Sequence, residues 1–282
     1  MMTKSYWLEI ASAKFHNRTS QLRWIKILSI PRFVLLGMTI VILLCLPRTL
    51  EAQSGPASSI LSQLSAAFSG GNTVQQVQIS GAATWHAGGL EDSGTVRLTA
   101  SADGSSQMQL QLTTTGTRNE AQTGAGSSAN CQWAGSDGVA HSVDLGNCWR
   151  PALWFLPAFS FQPSLMPSYL NAADLGMGTV GSSKDVYRHL QSQLVFSNFT
   201  SQMNAHFAQR STTDIGLDST TLLPAVLACS VHPDNGASTP IAIEIHYSNY
   251  RVIDGVQIPF HIERYINGSL QLDILVSSAQ IS

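Results

Sequence analysis

Charge is scarce in this sequence. Asp, Glu, Lys and Arg make up only 11% of 282 residues, and 15 side chains in all are basic. Seven of those (Lys4, Lys14, Arg18, Arg23, Lys26, Arg32 and Arg48) lie within 1–52, so 53–282 carries 8 basic against 15 acidic residues, a formal −7. An acidic chain without a Lys/Arg cluster is a poor match for nucleic acid or an anionic membrane surface, and neither is an expected partner. Catalytic signatures are lacking as well. There is no G-x-S-x-G elbow, no H-E-x-x-H, no P-loop and no G-x-G-x-x-G phosphate turn opening a helix after a strand, so the expectation is a protein that is not an enzyme and takes no cofactor. The four cysteines show no C-x-x-C and no Cys/His metal spacing.

Apolar residues are plentiful, at 44%, and unevenly placed. Between Arg32 and Arg48 runs FVLLGMTIVILLCLP, preceded by basic residues and followed by Leu50-Glu51-Ala52. An apolar core of roughly 14 residues is short for the ~20 needed to span a bilayer, and a basic flank before it with a small residue after it describes a secretory signal. The expected address is the periplasm or cell envelope, with cleavage after Ala52. The alternative is an uncleaved membrane anchor through residues 33–47. In an exported chain disulfides persist, and Cys131 and Cys148, flanking a strand-turn-strand around Ser136-Asp137-Gly138, are the expected pair. Cys229 lies on an alternating strand and reads as a buried thiol.

Strand signals run through 53–282. Ile241, Ile243, Ile245 and Tyr247 alternate with Ala242, Glu244, His246 and Ser248. Asp254-Gly255 and Asn267-Gly268 then bracket Val256, Ile258, Phe260 and Ile262, and Leu270, Leu272, Ile274 and Val276 follow. Period-2 alternation punctuated by Asp-Gly and Asn-Gly predicts three strands and two tight hairpins. The same style recurs at Val77–Trp85, Val96–Ala100 and Met108–Leu112, and further strands are expected over 186–196 and 225–231. Ile60, Leu61, Leu64 and Phe68 predict a helix stopped by Gly70-Gly71, and Phe199, Met203 and Phe207 a second one. The expectation is a mainly β (α+β) single domain over 53–282 with about nine to eleven strands: an open, strongly curved antiparallel barrel or half-barrel with short helices plugging its concave side.

One segment stands apart. Residues 151–173 carry no charge, hold Trp154, Phe155, Phe159, Phe161, Leu165 and Met166, and are cut by Pro157, Pro163 and Pro167. Such a stretch is either a plug sealing the sheet or the wall of an apolar pocket. With Trp85, Leu98 and Leu110 on the strands, these six are the candidate ligand-binding residues. Among seven histidines in 53–282, His246 and His261 on adjacent strands, near Glu244 and Glu263, are the sharpest metal or acid-base candidates, though cross-strand polar pairs are common on sheet surfaces.

The order of N-terminal helix, meander, aromatic insertion and C-terminal strands, with Asp218, Thr221 and Pro224 before one strand and Tyr247, Tyr250, Asp254, Gly255, Pro259 and Gly268 in the last hairpins, resembles the periplasmic lipoprotein carriers of the LolA, LolB and RseB-like superfamily. The resemblance covers 56–282 in outline and is specific from about 214 onward. It implies an open β-barrel with an apolar cavity that in the carriers takes acyl chains. Where the carriers have an Arg-Pro pair and a gating arginine, this chain reads Ala102-Asp103-Gly104-Ser105-Ser106-Gln107. The implied function is therefore a divergent non-enzymatic carrier or sensor of a lipid or lipoprotein acyl chain, monomeric, with an acylated protein or an envelope protein as partner. The alternative is a structural or interaction protein of the envelope whose barrel is filled. The Cys131–Cys148 loop sets a first test: replacing both residues with Ala should cost about 3 kcal/mol in the chain-entropy account, read from the denaturant midpoint.

Overall fold

The computed structural model describes residues 55–124, 129–143, 145–148, 154–162, 166, 168–232 and 240–282. The expected signal segment, together with Leu165, Pro163 and Pro167, lies outside them. The first meander comprises β2 (Gln76–Ala87), β3 (Leu90–Ser101), β4 (Ser106–Leu112), β5 (Gly116–Thr123), β6 (Asn130–Ala134) and β7 (Ala140–Ser142). The second comprises β8 (Leu170–Gly178), β9 (Tyr187–Leu194), β10 (Thr213–Leu217), β11 (Pro224–Val231), β12 (Ile241–Ile253), β13 (Val256–Ile266) and β14 (Ser269–Ile281). β14 pairs antiparallel with β2, from Leu272 opposite Trp85 to Ile281 opposite Val77, and fuses the two. A two-residue β1 (Gly55–Pro56) lies along β8. The result is one open, curved, 14-stranded antiparallel sheet running β1-β8-β9-β10-β11-β12-β13-β14-β2-β3-β4-β5-β6-β7.

The expected hairpins form as their turns require. Asp254 and Gly255 take φ of 48° and 81°, and Asn267 and Gly268 take 48° and 77°, the left-handed pairs of a two-residue connection. Strands number more than expected. β5 was missed because its inward positions are Arg118, Glu120 and Gln122. β8 was missed because it begins inside the broken aromatic segment and is interrupted by a register shift between Asp174 and Gly176. β10 is only five residues long. Cys229 also departs from expectation, being half-buried rather than enclosed. Cys131 and Cys148 are bridged.

One face of the sheet is apolar. Val77, Ile79, Val96, Leu98, Met108, Leu110, Ile258, Phe260, Ile262, Leu272 and Ile274 are all buried in a single core. Covering it are α1 (Ser58–Ser69) and a 3-10 helix at Pro157–Phe161, which pack on each other and, for α1, on β13. Helix α1 turns Ile60, Leu61, Leu64 and Phe68 to the sheet and ends where Gly70, at φ 62°, donates to the Ala66 carbonyl at 2.9 Å. A four-residue helix, α2 (Leu145–Cys148), follows β7. Helix α3 (Ser201–Ser211) is capped by the Thr200 hydroxyl, so Phe199 of the expected periodic trio precedes the helix. Phe199 still packs with Phe207 at 5.1 Å between ring centroids, and both rings meet Phe196.

Curvature brings strands very close at Gly94, which lies opposite Leu112 on β4. A Cβ there would land on the Gln111 carbonyl oxygen, backbone that cannot swing aside. Gly94→Ala should therefore lower stability by about 1–3 kcal/mol or more, measured by thermal or denaturant unfolding, because the added carbon forces the β3–β4 ladder apart.

Candidate functional site

The candidate ligand-binding residues fall in two groups. Leu98 and Leu110 are on the floor of the concave face, adjacent through the β3–β4 ladder, where Val96 opposes Leu110. Phe155, Phe159 and Phe161 belong to the cover and are buried against that floor, Phe161 with no exposed surface. Trp154 and Met166 are partly buried at the margin of the same core, as is Trp85 on β2. Of the residues chosen, Leu165 lies outside the described residues, and the other eight belong to, or pack against, one core.

Polar pins hold the cover. Gln162, 1% exposed, accepts from the Val74 N–H at 2.7 Å through Oε1, while its Nε2 donates to the Val74 carbonyl at 3.3 Å and the Phe159 carbonyl at 3.2 Å. One side-chain amide thereby mimics a strand partner for the linker between α1 and β2, and leaves neither of its ends unsatisfied in the core. Tyr247 donates from its hydroxyl to the Trp154 carbonyl at 2.7 Å. Burial pushes the Tyr247 phenol well above its ordinary range, so it stays a donor.

Beyond Trp154 the cover meets a ladder of alternating rings and guanidiniums. Arg264 lies 4.8 Å from the Trp154 ring and 5.8 Å from Trp85, and Arg118 lies 5.3 Å from Trp85 and 4.9 Å from Trp133. Trp133 stacks on His141 at 4.2 Å. Between the two guanidiniums sits Glu120, accepting from Arg118 Nε at 2.9 Å and 3.6 Å from Arg264 Nη1. Arg264 Nε also donates to Gln271 at 2.9 Å. Each contact of this kind contributes roughly 0.5–2 kcal/mol, the more when desolvated. Sequence reading missed the ladder. Its signal was Arg264, which continues the inward series Ile258, Phe260, Ile262 at period 2 and so puts a charge where an apolar residue is due.

The histidine candidates do not converge. His246 is directly opposite Glu263 but bonds Glu244 at 2.6 Å, and His261 bonds Asp273 at 2.9 Å and approaches the Ser248 hydroxyl at 3.3 Å. Among the described residues no group of three or more His, Cys, Asp or Glu side chains is placed to hold a metal ion.

No family model and no curated protein sequence matches the chain. Solved structures do. It is similar to a LolA superfamily protein from Nitrosomonas europaea at 11% identity, over 81% of this chain and 94% of that one, with a TM-score of 0.49. A domain assigned to outer-membrane lipoprotein sorting in Vibrio parahaemolyticus aligns at 9% identity over 79% and 91%, and a DUF1329 family protein from Desulfovibrio piger at 9% over 80% and 93%, both with a TM-score of 0.49. The likeness is one of fold. What the site can do is argued from its own geometry.

Glu120 carries the sharpest test of that geometry. Burial alone would raise its carboxyl, but Arg264 and Arg118 outweigh burial and hold it below the ordinary glutamate value of 4.5. A carboxylate depressed in the folded state adds stability that is fully present above its unfolded pKa and is lost as pH falls through the folded one. Glu120→Gln should therefore destabilise the protein at pH 7, on the order of 2–3 kcal/mol for a pair only partly withdrawn from water. The difference from wild type should shrink as pH is lowered below about 4.5, which unfolding titrations at neutral and acid pH would record.

Proposed function

We propose that this chain is an exported, non-enzymatic carrier or sensor that binds an apolar ligand, a lipid or an acyl chain, on the concave face of its sheet. The observation that carries the reading is the nature of the cover. Among the described residues the floor is closed by one 12-residue helix and by Phe155 with the five-residue 3-10 turn that holds Phe159 and Phe161, rather than by a second sheet. Each buried Phe is worth roughly 1.5–3 kcal/mol and each buried methylene about 0.8. An acyl chain of around ten methylenes therefore offsets the burial of Phe155, Phe159 and Phe161, and can take their place on Leu98, Leu110 and the strands beside them. The pins at Gln162 and Tyr247 add only a few neutral hydrogen bonds, each about 1 kcal/mol net. The cover is thus exchangeable at an energy that a lipid supplies.

The Cys131–Cys148 bridge supports an oxidising address, and an acidic chain of this composition supports a lipid or protein partner over a nucleic acid. A second reading rests on the burial of Phe155, Phe159 and Phe161: a structural or interaction protein of the envelope in which those rings are permanent core. Native mass spectrometry of the protein taken gently from an envelope fraction separates the two. The carrier reading expects an acyl-lipid mass adduct, lost in Phe159→Asp with the fold retained. A bare protein mass, together with an unfolded Phe159→Asp, would leave only the structural reading.

A further inference from the structure

The solvent face of the sheet holds a constellation that the floor and its cover do not use. Ser248 on β12 and His261 on β13 are directly opposite in their ladder, and Asp273 lies on β14, one strand further on. The neighbouring Tyr247, Ile262, Leu272 and Ile274 are in the core, so strand alternation turns Ser248, His261 and Asp273 outward together. His261 Nε2 is 2.9 Å from Asp273 Oδ1, and the Ser248 hydroxyl is 3.3 Å from His261 Nδ1. Ser248 is exposed and the other two are half-buried.

The contacts run in one direction. A carboxylate only accepts, so Asp273 takes the Nε2–H of the neutral imidazole and fixes its tautomer. Nδ1 is then the basic nitrogen, and it accepts from the Ser248 Oγ–H. Hydroxyl, base and orienting carboxylate stand in hydrogen-bond order, the arrangement that activates serine nucleophiles on unrelated folds. An isolated cross-strand polar pair has no such order. Two features beside it suit an acyl group. Leu275, directly opposite His261 on β14, is 55% exposed on a face where alternation calls for a polar residue. The β11–β12 ladder ends at the pair Val226–His246, and Asn249, next to Ser248, takes φ 56°. On that side the main chain at Ser248 has run past the ladder, where N–H groups can meet the oxygen that becomes negative in acyl transfer.

We propose that Ser248 is an acyl-accepting nucleophile, with His261 as its base, Asp273 as a positioning residue and Leu275 as the rest for a short apolar acyl group. The donor is an activated ester, one whose leaving group departs readily. The bond from Ser248 Oγ to the carbonyl carbon forms as the bond from that carbon to the leaving oxygen breaks. The hydroxyl proton passes to His261 Nδ1 and from there to the leaving oxygen. The products are an acyl-serine ester and a free alcohol, and no oxidant or reductant takes part. One acyl group is taken up per chain, a modification of the protein and not a turnover reaction. The proposal goes beyond the carrier reading without resting on it, since none of these residues belongs to the floor or the cover.

Incubation of the whole protein with p-nitrophenyl butyrate tests it. One p-nitrophenolate should be released per chain, and a butyryl adduct should map to the peptide that contains Ser248. Ser248→Ala should lose the adduct, and His261→Gln should slow its formation by roughly a hundredfold, within the usual contribution of a general base. Asp273→Asn keeps Ser248 and His261 but offers the imidazole an N–H, which favours the wrong tautomer. It should lower the maximal acylation rate by about tenfold or more while leaving the half-saturating ester concentration unchanged. Leu275→Ser should do the converse and raise that concentration. All four side chains are on the solvent face, and thermal unfolding at the wild-type temperature checks that each variant is folded. No adduct, equal labelling in Ser248→Ala, or an unchanged rate in Asp273→Asn overturns the assignment. A carried lipid leaves on denaturation and an acyl-serine ester does not, so masses taken under native and denaturing conditions distinguish failure of this proposal from failure of the carrier reading.

Discussion

Among the described residues the sheet has one apolar face and no second sheet to lie on it, so that face has to be closed by something else, and the structure depends on how that is done. Here closure falls to α1 and the segment from Trp154 to Gln162, neither of which could hold its shape in isolation. A 12-residue helix is marginal in water, and a 3-10 turn more so. They persist because the floor pays back their ordering with buried area, and because Gln162 gives Val74 the hydrogen bonds a neighbouring strand would have given. The contact is therefore mutual: the floor needs the cover to stay dry, and the cover needs the floor to stay helical.

Charge is organised around the same division. On the inward side the few charges are gathered in the Arg118–Glu120–Arg264 ladder and shielded by tryptophans. Elsewhere they are joined in local pairs, such as His189 with Asp214 at 2.8 Å, which Gln191 also reaches at 2.9 Å, and Glu244 with His246 and the Ser182 backbone. Asp92 is nearly enclosed and ties the Thr114–Thr115 turn to β3 by accepting both backbone N–H groups. A low charged fraction is thus used for joints between strands and turns more than for solvation.

Much of the architecture was legible where two signals agreed. Over β12, β13 and β14, alternation gave the faces and Asp254-Gly255 and Asn267-Gly268 gave the turns, so each strand's start came out within a residue, whereas the strands run on to Ile253, Ile266 and Ile281, past the alternation that was read. α1 was legible for the same reason, with apolar spacing and a glycine stop. β5 was not, because alternation is read as apolar against polar, and a strand whose inward residues are an arginine and a glutamate inverts the sign. β8 was hidden by its shared boundary with the aromatic segment. Of the candidate site, the identity of the buried rings could be read, but their arrangement could not. Whether Phe159 faces a void or a leucine is decided by strands far away in the sequence, which no local pattern records.

The final strand has a consequence for how the molecule comes into being. β14 joins the two meanders by lying along β2, and Ser282 closes the seam by accepting from the Gln75 and Gln76 N–H groups at 2.8 and 2.9 Å. Partners at the head and tail of the polypeptide must find one another before either half of the floor is complete, and such distant pairing is slow. Until the C-terminus is delivered, the halves are two unsealed fragments with greasy faces. Completion of the floor then waits for the last strand, and without β14 both β13 and β2 would be left as open edges for another molecule's strand.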